Sequence, residues 1–393
     1  MSAAILYVAD ANKQSAEHVS FNAAMLQTLF GAAREHGCKI VFFSERTHRE
    51  AVLSLLAAGT DLEWHEIPVV SGFHRTFIKK FVVELVTVCR LIFKARRAGA
   101  DVLLLSVFPN VLACVLLLKP LFRNVRLHVI LHGELESLVI EEKRPIWREG
   151  FWVRLAVLRL YDGKWPSLYV LGEGIRSRLM QRFAEAPHLR QLRVIEHPHI
   201  FLENVPHPGP GRGVLCVGFV GAGRVVKGIE AFFRLAEALS DRVRSAELEF
   251  VVIGGMEEGY RYDSDAPVRV LCDHPGGLSV EEYRTAIASL DCAVFLFKTD
   301  YLFTASGSVF DVLDAGVPIL SLENQYLRDL ARDDCEGGMT FFEDLRGIEM
   351  EIRRRLDSGM RFPRRAYPRI RWNHSTSSQA ALVGEIFAPS QAQ

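Results

Sequence analysis

The chain has 393 residues, 49% hydrophobic and 24% charged, with 47 Lys+Arg against 47 Asp+Glu. That length calls for two cores rather than one, the composition excludes a disordered chain, and zero net charge excludes a polyanion binder working through overall charge. The charge is nevertheless unevenly divided: residues 1–200 carry 26 basic and 19 acidic side chains, and the remainder balances the surplus.

The opening MSAAILYVAD runs straight into a strand pattern and lacks the basic n-region and cleavage site of a signal peptide. Seven cysteines (Cys38, Cys89, Cys114, Cys216, Cys272, Cys292, Cys335) are scattered, without a CxxC pair. Most lie in apolar runs, which suits buried free thiols in a reducing compartment. The best uncharged window, residues 102–118, is short for a membrane span and is broken by Pro109-Asn110. It predicts strand, turn and buried helix. The expected location is the cytoplasm.

In chain order, residues 5–9 predict a strand, and the polar loop 10–17 leads into a helix over 18–35 that Gly37 stops. Strands are expected at 39–44, 65–70, 102–106, 127–131 and 168–171. Helices are expected at 50–58, 76–97, 149–161 and 173–183. Apolar strands separated by helices imply a parallel sheet covered on both faces. Residues 197–213 hold four prolines and three glycines and cannot form a regular element. They place a linker at 201–213, after a first domain at 1–200. The alternation then restarts. Strands are expected at 214–219, 248–253, 268–271, 292–297 and 318–321, and helices at 228–238, 280–288, 309–315 and 345–356. This second domain spans 214–365. A closing segment, 366–393, carries a helix at 375–386 and is expected to cross back to the first domain. The fold class is therefore α/β, with two Rossmann-like doubly wound domains facing across a cleft. Ligands in such folds bind at the carboxyl ends of the strands.

Three strand ends carry candidate chemistry. The stretch VLCVGFVGAGRVVKGIEA at 214–231 passes from a strand to a helix through Gly221, Gly223, Arg224, Lys227 and Gly228. Unpaired backbone amides, a helix dipole and two cations converge there, as a diphosphate requires. Arg brings a planar fork and Lys a point charge. In HVILHGELESL, His132 follows a strand and precedes Gly133, Glu134 and Glu136, a position from which an imidazole can donate to or orient a substrate oxygen. In KTDYLFTASGSVFDVLDAGVP, Thr304, Ser306, Gly307 and Ser308 form a polar turn that caps a helix and offers further amides. Asp311 lies one turn into that helix, on the side that can meet a sugar hydroxyl, and Asp314 is expected at the surface. Each has a plain alternative: a solvated βα loop, a histidine bonded to local backbone, and a capped helix with nothing bound.

Taken together, the glycine turn with Arg224 and Lys227-Gly228, EFVVIGG, VEEYRTAIASLDCAVF and ASGSVFDVLDAGVPIL resemble the GT-B glycosyltransferases. The match is to the large retaining group that uses nucleotide-sugar donors, more softly to enzymes of bacterial surface-polysaccharide synthesis. The resemblance spans about 214–323. It implies that the Arg/Lys pair neutralises the diphosphate leaving group, without metal or other cofactor. It also implies that the helix after the small-residue turn offers its N-terminus to phosphate and an acid, Asp311, to ribose. The group often has a further acid eight residues earlier; here that position is Phe303.

Residues 71–130 hold ten Lys+Arg and two acids, and the helix RTFIKKFVVELVTVCRLIFKARR mixes its cations with aliphatics. Such a face fits peripheral contact with an anionic membrane and a lipid-linked acceptor. A core-packing helix with a solvated basic edge fits the same pattern. Nucleic-acid binding fits less well, because stacking aromatics on a polar face are few. The resemblance thus implies transfer to a glycan or lipid-linked acceptor; a GT-B epimerase and a non-catalytic nucleotide-sugar binder stay open.

Overall fold

The computed structural model describes residues 4–14, 17–56, 62–70, 77–139, 149–202, 213–257, 260–263, 265–272, 278–297, 301–332 and 338–387. The chain divides into two compact units: Met1–Ile200 with Phe303–Ala305 and Asn373–Gln393, and Phe201–Leu302 with Ser306–Trp372. Most of the linker stretch, 203–212, lies outside the described residues, as do Cys335 and residues 298–300.

The first unit is built on seven parallel strands: β1 (Ile5–Asp10), β2 (Lys39–Ser44), β3 (Glu63–Glu66), β4 (Asp101–Ser106), β5 (Leu127–Leu131), β6 (Ser167–Val170) and β7 (Arg193–Val194). Their order across the sheet is β3-β2-β1-β4-β5-β6-β7. β1, β4 and β5 are buried almost throughout, as a parallel sheet covered on both faces demands. The third strand covers 63–66 rather than 65–70, because Glu63 to Glu66 find partners on Val41 to Ser44. Helices α1 (Val19–His36), α2 (Phe77–Ala98), α3 (Pro109–Leu117) and α4 (Lys119–Phe122) belong to this unit.

The second unit has six parallel strands: β8 (Leu215–Val220), β9 (Leu248–Gly255), β10 (Arg269–Cys272), β11 (Cys292–Phe295), β12 (Ile319–Leu322) and β13 (Met339–Phe342). They run in the order β10-β9-β8-β11-β12-β13. Helix α5 (Ile229–Ala238) lays Phe232 and Leu235 on this sheet, against Phe219, Phe250 and Val252. Helices α6 (Val280–Ala288) and α7 (Gly307–Asp314) follow, the first closed by a capping box between Ser279 and Glu282. Helix α8 (Leu345–Ser358) adds Ile348 and Ile352 to the core through one face and keeps its charges on the other. The last helix, α9 (Thr376–Phe387), groups with the first unit and packs along α1. There Ala380 meets Gly31, and Phe387 stacks on His36 at 5.9 Å. Two doubly wound parallel sheets are the architecture the alternating pattern predicts.

Each sheet reverses its winding at one point, between β1 and β4 in the first unit and between β8 and β11 in the second. At such a switch point adjacent loops part on opposite faces and leave room for a ligand. The carboxyl ends of these strands are therefore where a ligand would sit.

Candidate active site

In the second unit the chain leaves β8 at Gly221, whose φ is 100°, a left-handed conformation that disfavours a side chain. A Cβ there would stand 3.0 Å from Ser308 Oγ and 3.4 Å from Lys227 Nζ. The glycine turn and the start of α7 thus meet, although some eighty residues separate them in sequence. Gly223 pairs with the end of β9, its amide donating to Gly255 at 2.9 Å. Arg224 opens a 3-10 turn, Val225–Lys227, which Gly228 ends at φ 84°. Gly228 has no substitute: a Cβ would fall 2.0 Å from the carbonyl oxygen of Leu296.

Lys227 is held in poor contact with water. Burial pushes its ammonium down to about 8, Arg224 adds to the effect, and Asp311 opposes it. Asp311 moves the other way, up to about 7. Burial is the main cause and Asp314 contributes, while Tyr283, Arg284 and Lys227 pull it back. Tyr283, on α6, donates its hydroxyl to Asp311 Oδ2 at 3.1 Å. A lysine near 8 and a carboxylate near 7 are both charged in a narrow range around neutrality.

Ser306 precedes α7 but does not cap it with its side chain, as the polar turn predicts; its Oγ pairs with Ser308 Oγ at 3.0 Å. Its amide donates to the Tyr326 hydroxyl at 3.2 Å. The amides of Gly307 and Ser308 have no hydrogen-bond acceptor among the described residues, and they leave the end of α7 open to an anion. Asp314, expected at the surface, is buried. It pairs with Arg371 at 2.8 Å and accepts the Leu202 amide at 3.0 Å. Three helical positions turn it away from Asp311, toward a structural tie.

In the first unit, His132 stands at the end of β5 and is only 9% exposed. Its Nε2 lies 2.7 Å from the Leu105 carbonyl oxygen. A carbonyl only accepts, so Nε2 carries the hydrogen and the neutral ring keeps Nδ1 as an acceptor. Burial drives its pKa down to about 4, helped by Lys13, so the ring is neutral at pH 7. Donation to a substrate oxygen, one of the roles the sequence allows, is closed to Nε2, which is committed to Leu105. Phe21 meets the imidazole edge-on at 4.4 Å, and His18 lies 4.9 Å away with its backbone in the left-handed region at φ 56°.

Thr304 groups with this unit, next to Gly133: a Cβ on that glycine would lie 3.6 Å from Thr304 Cγ2. Its Oγ1 is buried and makes no hydrogen bond among the described residues. Phe303, in the position where the resembling group has an acid, is buried, and its amide donates to Glu136. Glu134 accepts the His132 amide at 2.8 Å, and burial raises its carboxyl to about 7. The structure therefore joins Gly221, Gly223, Arg224, Lys227, Gly228, Ser306, Gly307, Ser308 and Asp311 in one unit. It sets His132 and Thr304 in the other.

Three features escape sequence reasoning. Tyr283 reads as one more residue on an amphipathic helix, and Glu136 only as a neighbour of His132. The third is the set around Asp10, at the end of β1. Asp10 Oδ1 accepts from the amides of Asn12 and Lys13 and from Ser106 Oγ at 2.8 Å, and Oδ2 accepts from Asn22 Nδ2 at 2.6 Å. Asn22 Nδ2 also lies 2.7 Å from His48 Nε2. The signal for it, an Asp at a strand end before a polar loop, is too common to single out.

No protein-family model matches the sequence, and no curated protein matches it. Solved structures do match the fold. A glycosyltransferase from Rickettsia africae superposes with a TM-score of 0.61 at 9% identity, covering 98% of each chain. WaaG, a glycosyltransferase involved in lipopolysaccharide biosynthesis, gives 0.59 at 13% identity, over 98% of this chain and 95% of that one. HepE from Anabaena, in complex with UDP, gives 0.58 at 12% identity with the same coverage. The chain has the two-domain α/β fold of these glycosyltransferases, the GT-B fold that the sequence motifs resemble.

Proposed function

We propose that this chain is a glycosyltransferase moving a sugar from a nucleoside-diphosphate-sugar donor to a glycan or lipid-linked acceptor. We assign it retention of anomeric configuration and a role in polysaccharide or glycoconjugate synthesis, in the cytoplasm at the inner face of the plasma membrane. The observation that carries this reading is the meeting of Lys227, Gly221 and Ser308 at the β8/β11 switch point, with Asp311 close enough to affect Lys227. Similar structures solved with UDP and with UDP-glucose support a nucleotide-sugar donor.

In the proposed reaction the bond between the anomeric carbon and the diphosphate oxygen breaks. The acceptor hydroxyl adds to that carbon from the face the diphosphate leaves, and its proton passes to the departing phosphate oxygen. Lys227, Arg224 and the amides of Gly307 and Ser308 take the charge that develops on the departing diphosphate. Such fixed charges act strongly where water is excluded. With these cations the reading needs no metal or other cofactor. Asp311 accepts from the ribose hydroxyls.

A non-catalytic nucleotide-sugar binder draws support from one observation, the burial of Phe303 where the resembling group has an acid. A thermal-shift panel of UDP, GDP, ADP and CMP, followed by turnover of the matching sugar donors with and without acceptor, separates the readings. Transfer that needs acceptor supports the proposal. Donor consumption without acceptor indicates an epimerase, binding without turnover the binder, and no nucleotide binding removes all three.

A further inference from the structure

On α2 the buried side chains are Glu84, Thr87, Val88, Leu91, Ile92 and Ala95, which settle the face turned to the core. The opposite face is apolar as well. Ile78 is 65% exposed, Val82 48%, Val86 41% and Phe93 45%. At 3.6 residues per turn these four, together with Lys79, Arg90 and Arg97, fall within an arc of about 120°. The stripe continues onto the next helices. The Phe93 ring meets Phe122 at 5.3 Å, Arg96 reaches the Leu121 carbonyl, and Leu117 and Leu121 are 60% and 53% exposed. Six large apolar side chains thus stand in water along a strip that covers about 22 Å of α2 and continues onto the next helices. Exposed apolar residues are ordinary when scattered, but a contiguous strip marks an interaction surface.

The unpaired charges on these helices have one sign. Lys79, Arg90 and Arg97 line one edge, Arg123 lies beside Leu121, and none of the four makes a hydrogen bond or ion pair among the described residues. Between residues 77 and 123 the only acids are Glu84 and Asp101. Glu84 is buried, accepting the Phe108 amide at 2.7 Å, and Asp101 is paired with Arg126. Lys94 turns away to the rings of Tyr7 and Phe43, and Lys119 pairs with Asp162. No described helix is long and apolar enough to cross a membrane.

We infer that the strip formed by Ile78, Val82, Val86, Phe93, Leu117 and Leu121 inserts into the interfacial region of an anionic bilayer, with Lys79, Arg90, Arg97 and Arg123 pairing with its phosphates. An apolar centre with unpaired cations, beside which the exposed acid Asp162 is tied to Lys119, matches a surface of lipid tails under anionic headgroups. A protein partner would be expected to bring acids against some of the cations and to meet a surface of mixed sign. This inference deepens the membrane location in the proposed function but draws nothing from the donor site.

The test is flotation of the full-length protein with vesicles of phosphatidylcholine, and with vesicles in which a third of the lipid is phosphatidylglycerol. The protein should float with the anionic vesicles alone and detach as salt is raised. Arg90→Ser with Arg97→Ser should lower partitioning by about 25-fold, at about fivefold per basic residue. Ile78→Ser with Phe93→Ser should abolish it; because the Phe93 ring also packs on Phe122, Ile78→Ser alone, at a side chain 65% exposed, should weaken partitioning with little change in the melting temperature. A Phe93→Trp variant should shift its emission to the blue on the anionic vesicles, a readout of insertion that needs no destabilising change. Failure to float, flotation insensitive to these substitutions, or a wild-type dimer that the Ile78/Phe93 variant turns into a monomer would each overturn the inference. Nucleotide binding in the same samples without vesicles reports separately on the donor site, so either idea can fail alone.

Discussion

The two sheets share a winding, yet the ends of their equivalent central strands have opposite chemistry. Past β8 the chain offers Gly221, Arg224 and Lys227, with the amides of Gly307 and Ser308, which find no acceptor among the described residues, alongside. Past β1 it offers Asp10, a fully buried carboxylate whose acceptor positions are filled by Asn12, Lys13, Asn22 and Ser106. In the proposed function an anion completes the first arrangement. The second is already complete, and it ties β1, β4, α1 and the 11–14 loop together. One topology therefore supplies a place for a ligand in both units, and side chains decide whether the place is used for binding or closed for stability.

The largest expected effect breaks the β8 side. Lys227→Ala should lower transfer by about 10²–10³-fold, the usual loss for one preorganised donor to a developing oxyanion, while the melting temperature stays near wild type. Near-normal turnover in a donor assay would remove the donor-site assignment. Asp10→Asn breaks the other side and should behave in reverse. It should cost about 2 kcal/mol of stability in chemical denaturation, from strained or unmade buried hydrogen bonds, with little change in nucleotide affinity. An equal loss of affinity in both variants would show that the two strand ends are not divided in this way.

The pH dependence of nucleotide binding sharpens the β8 side further. Lys227, lowered to about 8, loses its charge as pH rises through that value, and Asp311, raised to about 7, gains its charge as pH rises through 7. Affinity should peak between about pH 7 and 8 and fall about tenfold one unit beyond either limb. A flat titration from pH 6 to 9 would exclude these two groups from the site. The smallest effect is that of Tyr283→Phe. Without the hydroxyl the Asp311 carboxylate loses a donor, so the acid limb should move to higher pH, with a loss of about threefold to tenfold in affinity at pH 7. An unchanged acid limb would leave Tyr283 as packing only.

The sequence by itself determined the α/β class, the two parallel sheets and the positions of most strands, because apolar runs of strand length between helical periods admit little else. It also marked Gly221, Gly228, Arg224 and Lys227, since glycine with fixed cations at a strand end is a local chemical signal. The tertiary structure alone decided which distant residues share a site. Ser308 comes to Gly221 through close packing of α7 beside β8, and Tyr283 reaches Asp311 from a separate helix. Asp314 goes to Arg371 instead of solvent, and His132 spends Nε2 on Leu105. No local pattern encodes those choices. They depend on helix rotation and on burial, which shift the charges of Lys227, Asp311 and His132 only once water has been displaced around them.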